Sequence, residues 1–443
     1  MRREQSHFGE FLKYTCFNVL GMIGLSCYIL ADTFFISKGL GADGLTALNL
    51  AIPMYSFING SGMMLGMGSA TKYSIYQGQG RHREGNRAFT WAVCMAGFFA
   101  LIFVLLGLFG AGKLTALLGA DAAVYEMTRT YLRTLLLFAP AFILNGILLC
   151  FVRNDGNPGL AMTAMLTGNF CNIVLDYVFI FPMGMGIFGA IFATGLAPVI
   201  SICVLSVHKI TGKNHFHFCR IMPELTLPRG ILALGVPSLI TELASGIVIV
   251  AFNFMILGIR GNTGVAAYGV VANLSLVVTA VFNGIAQGMQ PLTSRAYGKG
   301  EWKVVREIFR YAVGALLAAA VVIYGVIFFL ASPITDVFNS ERNMELQRIA
   351  EEGLRIYFTA APFVGFNVVA AMFFSSTDRA LPAQVISLLR GFFVILPAAF
   401  LLSALFGMRG VWMAYPVAEV IVAALAGVMF WIYARRRVGQ GDT

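Results

Sequence analysis

Residues 44–80 read GLTALNLAIPMYSFINGSGMMLGMGSATKYSIYQGQG, and residues 264–300 read GVAAYGVVANLSLVVTAVFNGIAQGMQPLTSRAYGKG. Laid over each other at an offset of 220, they match Gly44 to Gly264, Ala47 to Ala267, Gly68 to Gly288 and Ser74 to Ser294. Gly78 falls on Gly298, Gly80 on Gly300 and, just beyond, Phe89 on Phe309. At 222, Pro140 meets Pro362, Asn145 meets Asn367 and Phe151 meets Phe373. At 221, Gly186 meets Gly407, Gly189 meets Gly410 and Ala193 meets Ala414. Each match is weak, but an offset that stays nearly constant along half the chain reads as an internal duplication.

The halves are built for lipid. The chain has 443 residues, 58% of them hydrophobic and only 12% charged, with mean hydropathy +0.79. Soluble domains carry about 25% charged residues, so a water-soluble globule and a disordered chain are both excluded. Apolar stretches fall at 12–37, 45–73, 88–110, 125–152, 159–181, 187–209, 229–258, 265–293, 308–331, 347–375, 380–403 and 408–433. Each is long enough for a membrane helix of about 20 residues. The alternating pattern of an outer-membrane barrel is absent. The first stretch is too long for the apolar part of a cleavable leader and reads as a retained span.

Twelve spans give six per half. Six is even, so both halves enter the membrane the same way up, related by a pseudo-two-fold axis along the membrane normal. The expected fold is an all-α integral membrane protein with twelve transmembrane helices in two six-helix bundles. The first bundle covers 1–210 and the second 229–433, with a linker at 211–228 and a tail at 434–443. The net charge of +10 is a matter of orientation rather than of nucleic acid. With the N-terminus inside, 21 of the 31 Lys and Arg fall on the inner side and 9 on the outer, Arg390 lying within a span. That bias places both termini in the cytoplasm, in the inner cell membrane.

Two lobes meeting at mid-membrane suit alternating access better than a channel, which builds a narrow filter from symmetric subunits. Other classes lack their motifs. The seven cysteines form no CxxC pair, which argues against a disulfide framework or zinc site. Gly107 to Lys113 resembles a phosphate-binding loop, but Leu114 stands where Ser or Thr is required. No DDxxD, HExxH or GxSxG occurs, and the histidines lie in loops or at interfaces. The chain reads as a transporter, not an enzyme.

Ionisable groups inside a bilayer are costly, so each is a functional candidate. The deep carboxylates are Asp32, Asp176, Glu242 and Glu419, and Arg390 is the deep cation. Asp32 and Asp176 each lie about five residues from the outer end of their spans, roughly 7 Å below the boundary. Asn172 is one turn from Asp176, and Thr194 lies at similar depth. Two acids, an amide and a hydroxyl at one level suit a proton or a small hard cation such as Na+, or else a network that fixes helix packing. Glu242 is either a cation-binding wall of the cavity or a structural acceptor. Asn253, Asn283, Gln287 and Gln290 offer amides to a cavity or link helices. Arg390 and Glu419 read as an ion pair within the second bundle, and the Gly62–Gly66 and Gly284–Gly288 steps as close helix contacts.

Several segments resemble the MATE (multidrug and toxic compound extrusion) transporters, bacterial branch. Ala31-Asp32-Thr33-Phe34-Phe35-Ile36 is similar to that family's span 1, and Asn172 to Tyr177 with Gly184, Gly186 and Gly189 to spans 5 and 6. Pro237 to Glu242, Gly264 to Tyr268, Gly288 to Pro291 and Tyr297-Gly298 resemble spans 7 and 8. The resemblance implies a monomeric antiporter that exports lipophilic organic cations in exchange for Na+ or H+, with no cofactor. It also implies that Asp32, Asn172, Asp176 and Thr194 form the cation site. Span 10 departs from members that carry an acid there. A lipid-linked carbohydrate flippase of the same superfamily is the alternative; it would require a wide cationic cavity.

Overall fold

The computed structural model describes residues 7–221, 224–339 and 342–438. Arg2, Arg3 and residues 439–443, expected at the cytoplasmic ends, lie outside them. Among the described residues there is no β-strand. In chain order the helices are α1 (His7–Gly78), α2 (His82–Leu105), α3 (Ala111–Leu117), α4 (Tyr125–Leu137), α5 (Ala139–Asn154), α6 (Pro158–Ile180), α7 (Gly186–Ile210) and α8 (Thr226–Gly298). They continue with α9 (Trp302–Phe329), α10 (Ala331–Phe338), α11 (Met344–Tyr357), α12 (Ala361–Ser376), α13 (Ala380–Leu388), α14 (Ile395–Phe406) and α15 (Met408–Val438).

The longest helices, α1 and α8, run 72 and 73 residues. At 1.5 Å per residue that is roughly 110 Å, several times the bilayer core. Each is broken once, at Gly41 (φ 67°, ψ −155°) and at Gly261 (φ 60°, ψ −155°). Only glycine enters that backbone region without strain, and the two breaks stand 220 residues apart, as the internal repeat requires. Each long helix is therefore two spans joined by a sharp corner. Among the described residues nine segments are long and apolar enough to cross a membrane, and a pair, α4 with α5, becomes a tenth across a 47° bend. Dividing α1 and α8 at their corners brings the total to twelve. The chain is a multi-pass membrane protein.

Among the described residues, beside two small clusters, two large cores are buried. One draws on the second limb of α1 and on α2 to α7, around Leu132, Leu135, Ile143 and Phe151. The other draws on α8 to α15, around Phe282, Phe374 and Trp412, and takes in Phe11 and Tyr14 from the start of α1. The lobes touch at the end of the bundle that carries both termini, and glycines make that approach possible. A Cβ on Gly284 would stand 2.6 Å from Val19 Cα, and one on Gly288 2.7 Å from Thr15 Cα. Gly68 packs against the Ile231 carbonyl in the same way, and a Cβ on Gly78 would come 3.1 Å from Gly298 Cα. Span 2 on span 7 and span 8 on span 1 are one contact made twice.

The segment between the halves is not a free tether. His215 donates its backbone N–H to Asp155 Oδ2 at 2.8 Å, and Phe216 is buried among Tyr73, Phe89, Phe151 and His208. Arg87 pairs with Glu224 at 2.7 Å. Asp155 also accepts from Tyr73 Oη and lies 2.8 Å from His208 Nε2. Burial would push the Asp155 carboxyl up, but the bonds from His208, Tyr73 and His215 outweigh it and hold it below its ordinary range.

Candidate functional site: a buried acid pair beside a cavity between the lobes

Asp32 comes from the first limb of α1, and Asn172 and Asp176 stand one turn apart on α6, whose start is fixed by Asn157 accepting from Leu160 N–H and by Pro158 in the first turn. Thr194 comes from α7. All four are buried in the first lobe: Asp32 is 7% exposed and Asp176 fully enclosed. The Asp32 and Asp176 carboxyls come within hydrogen-bonding reach of each other. Asn172 Nδ2 donates to Thr194 Oγ1 at 3.5 Å. Asp32 Oδ1, both Asp176 carboxylate oxygens and Asn172 Oδ1 receive no hydrogen bond from any donor of the described residues. Buried oxygens are rarely left so. A packing network would have matched them with donors. The donors of the cluster point elsewhere, Asn172 Nδ2 to Thr194 and the Thr194 hydroxyl to the Ala190 carbonyl, and two charges held this close repel unless a proton or cation lies between them.

Three tyrosines surround the pair and were not read as site residues from the sequence. Tyr28, Tyr55 and Tyr131 are close enough to feel the Asp32 charge, and Tyr28 and Tyr55 neighbour each other. Tyr28 is one helical turn from Asp32, which was the available signal. Tyr55 and Tyr131 come from other spans and carried none.

Between the lobes lies a cavity of about 250 Å³. Tyr28, Tyr55 and Thr194 form part of its wall, so the acid cluster and the cavity share side chains. From the second lobe come Glu242, Asn283, Gln287 and Arg390, and from the first Asn59, Met63, Met67, Phe142, Asn145 and Arg153. Glu242 accepts from Asn59 Nδ2 at 3.4 Å across the lobe boundary. Met, Phe and Tyr faces beside a few polar groups make an adaptable apolar site.

The remaining candidates divide. Gln287 lines the cavity. Gln290 is fully buried and lines neither cavity; it joins the lobes instead, accepting from Asn154 Nδ2 at 3.0 Å and donating to Thr71 Oγ1 at 3.1 Å. Asn253 is half-buried on α8, away from both cavities. Arg390 sits in a π-helical turn at Leu389–Phe393 and binds Glu419 at 2.6 Å, while Asn367 Nδ2 donates to Glu419 Oε2 at 2.7 Å. Arg390 also borders a second cavity of about 140 Å³ inside the second lobe.

Arg153, one of the 21 inner-side cations of the sequence and just beyond the 125–152 stretch, is 3% exposed and lines the cavity. Its Nη1 donates to Asn18 Oδ1 at 2.8 Å and to Gln287 Oε1 at 2.6 Å, bridging the lobes. With Asn154–Gln290 and Lys72–Asp378 at 2.8 Å, it closes the terminal end of the cleft.

Comparison with known proteins agrees with this architecture. The family model MatE matches residues 19–178 and 237–401. Multidrug export protein MepA of Staphylococcus aureus (strain MSSA476) is 24% identical over 447 aligned residues, spanning 98% of each chain. MepA of Staphylococcus saprophyticus is 23% identical over 445, again 98% of each. A solved outward-facing conformation of a multidrug resistance MATE family transporter of the MOP superfamily superposes with TM-score 0.90 at 20% identity, covering 98% of this chain and 96% of that one. A MOP superfamily transporter from Pyrococcus furiosus superposes with TM-score 0.88 at 21% identity over 98% and 96%. Its description states that the reverse polarity of its binding pocket suggests a different function.

Proposed function

The chain belongs to the MATE transporter family, and from that premise we propose that it is a secondary multidrug antiporter, exporting lipophilic organic cations in exchange for Na+ or H+ by alternating access. The observation that carries this reading is the Asp32–Asp176 pair with its unpartnered oxygens, whose neighbours Tyr28, Tyr55 and Thr194 also line the cavity. When the pair takes up an ion, its mutual repulsion is relieved and α1, which holds Asp32, repacks on α6. Tyr28 lies one turn below Asp32 and forms cavity wall, so that repacking reaches the ligand directly. Glu242 supplies the acidic group for a cationic ligand, and the Met and Phe faces its apolar bed. The chain lies in the inner membrane as a monomer with the terminal end cytoplasmic, so the state described here is closed toward the cytoplasm. Residues 1–210 and 229–433 move as the two rocking units. A carbohydrate-lipid flippase fits less well, because Glu419 neutralises Arg390 and Glu242 stands against Arg153 on the wall, which makes the cavity bipolar rather than cationic.

The test is efflux of ethidium from proteoliposomes under an imposed Na+ or H+ gradient. The expected result is gradient-driven transport that Asp176→Asn abolishes while membrane insertion stays normal. Transport that ignores both gradients, or that survives Asp176→Asn unchanged, overturns the proposal.

A further inference from the structure

Two arginines line the central cavity, and they differ in one respect. Arg390 has Glu419 at 2.6 Å. Arg153, 3% exposed, has no carboxylate within 4.0 Å among the described residues. An enclosed guanidinium without an anion is a costly arrangement unless something supplies one.

The partners it does have cover one side. Nη1 is satisfied by the oxygens of Asn18 and Gln287. On the other side, Nη2 meets only sulfur, Met67 Sδ at 3.3 Å and Cys150 Sγ at 3.5 Å, and Nε has no hydrogen-bond partner at all. Nε and Nη2 form the edge of a guanidinium that receives a carboxylate through two parallel bonds. Sulfur is a weak acceptor, and the flexible Met67 thioether is readily displaced. The edge that best fits a carboxylate is thus almost unused but covered, on a residue of the cavity wall, and a ligand reaches it by displacing Met67.

We infer that Arg153 is the anion-binding pole of the central cavity, so that the site takes amphoteric ligands whose carboxylate docks on the Nε/Nη2 edge while their cationic part faces Glu242. This rests on the export reading for the identity of the cavity, but not on ion coupling. It makes Arg153 a specificity-determining residue and the cavity bipolar.

The test compares a rhodamine carrying a free benzoate with its methyl ester. The two share one delocalised cation and differ only in the carboxylate. Binding to the whole detergent-solubilised protein is read by fluorescence polarisation. The wild type is expected to bind the acid about ten-fold or more tightly than the ester, the scale of a charge-assisted hydrogen bond. Arg153→Gln should remove that preference, whatever common loss the broken Asn18 and Gln287 bonds impose on both ligands, and Arg153→Lys should restore part of it. A purely structural lobe clasp would weaken both ligands alike. Should Arg153→Gln fail to fold, unlabelled benzoate added to the wild type must displace the acid and spare the ester. Equal wild-type affinities, or equal losses in Arg153→Gln, overturn the inference. Ethidium has no carboxylate, so failure of gradient-driven ethidium efflux leaves this result untouched, and the reverse also holds.

Discussion

Gly288→Ala tests the closure of the terminal end most directly. The new methyl would stand 2.7 Å from Thr15 Cα and 2.9 Å from Thr15 N, both backbone atoms that no rotamer change can move. Ordinary carbon contacts begin near 3.5 Å, so α8 must withdraw from α1 by roughly 0.8 Å. Gly288 lies between Gln287 and Gln290, whose bonds to Arg153 and Asn154 are 2.6 and 3.0 Å long. Stretched by that amount, both approach or pass the limit of a useful hydrogen bond. One bond is charge-assisted and one neutral, together worth about 3 kcal/mol. Alanine's helix preference acts on both lobe states alike and cancels. The net is about 3 kcal/mol against the closed state, roughly a hundred-fold shift in the lobe equilibrium. Cys150 reports it: this thiol is 1% exposed, beside Arg153 on the cavity wall. Its labelling by a water-soluble maleimide from the terminal side, followed by peptide mass spectrometry, should accelerate by about that factor. Gly258→Ala, where a Cβ meets nothing within 4 Å, should leave the rate unchanged. A folded Gly288→Ala protein that labels within two-fold of wild type would refute the role given to these glycines.

Removing Arg390 leaves Glu419, 2% exposed, as a lone buried charge. Arg390→Ala should destabilise the second lobe by about 3–5 kcal/mol, whereas Arg390→Met with Glu419→Gln should recover most of it; thermal melting distinguishes these, and an unshifted midpoint in the single variant would count against the pair. The Asp155 carboxyl is held below its ordinary range, so its clasp on the segment around His215 is complete above about pH 4 and is lost as pH falls through the lowered folded value. Proteolysis within 211–221 should therefore be slow at neutral pH, rise on strong acidification, and rise already at neutral pH in Asp155→Asn; equal cleavage of wild type and variant at neutral pH would show that Asp155 does not hold the segment.

Much of this protein is legible in one dimension. Lipid demands about 20 apolar residues per crossing and tolerates few charges, so twelve spans and the spread of Lys and Arg can be read from composition along the chain. The offset of 220 pairs Gly78 with Gly298, and in three dimensions those two glycines meet at the lobe boundary. Asp32, Asn172 and Asp176 were legible as candidates because an acid in oil needs a reason to be there, and helix spacing puts Asn172 and Asp176 on one face. What tertiary structure alone decided is which faces of the helices turn toward one another. Gln290 looks like a cavity amide in sequence but is consumed in the lobe junction. Arg153 looks like an inner-side cation because it stands at the end of a span, yet the crossing of α1, α5 and α8 encloses it. Tyr55 and Tyr131 joined the acid pair from other spans. Hydropathy depends on depth along a helix and is nearly blind to rotation about its axis, and rotation is what brings a side chain to lipid, to a neighbouring helix or to the cavity.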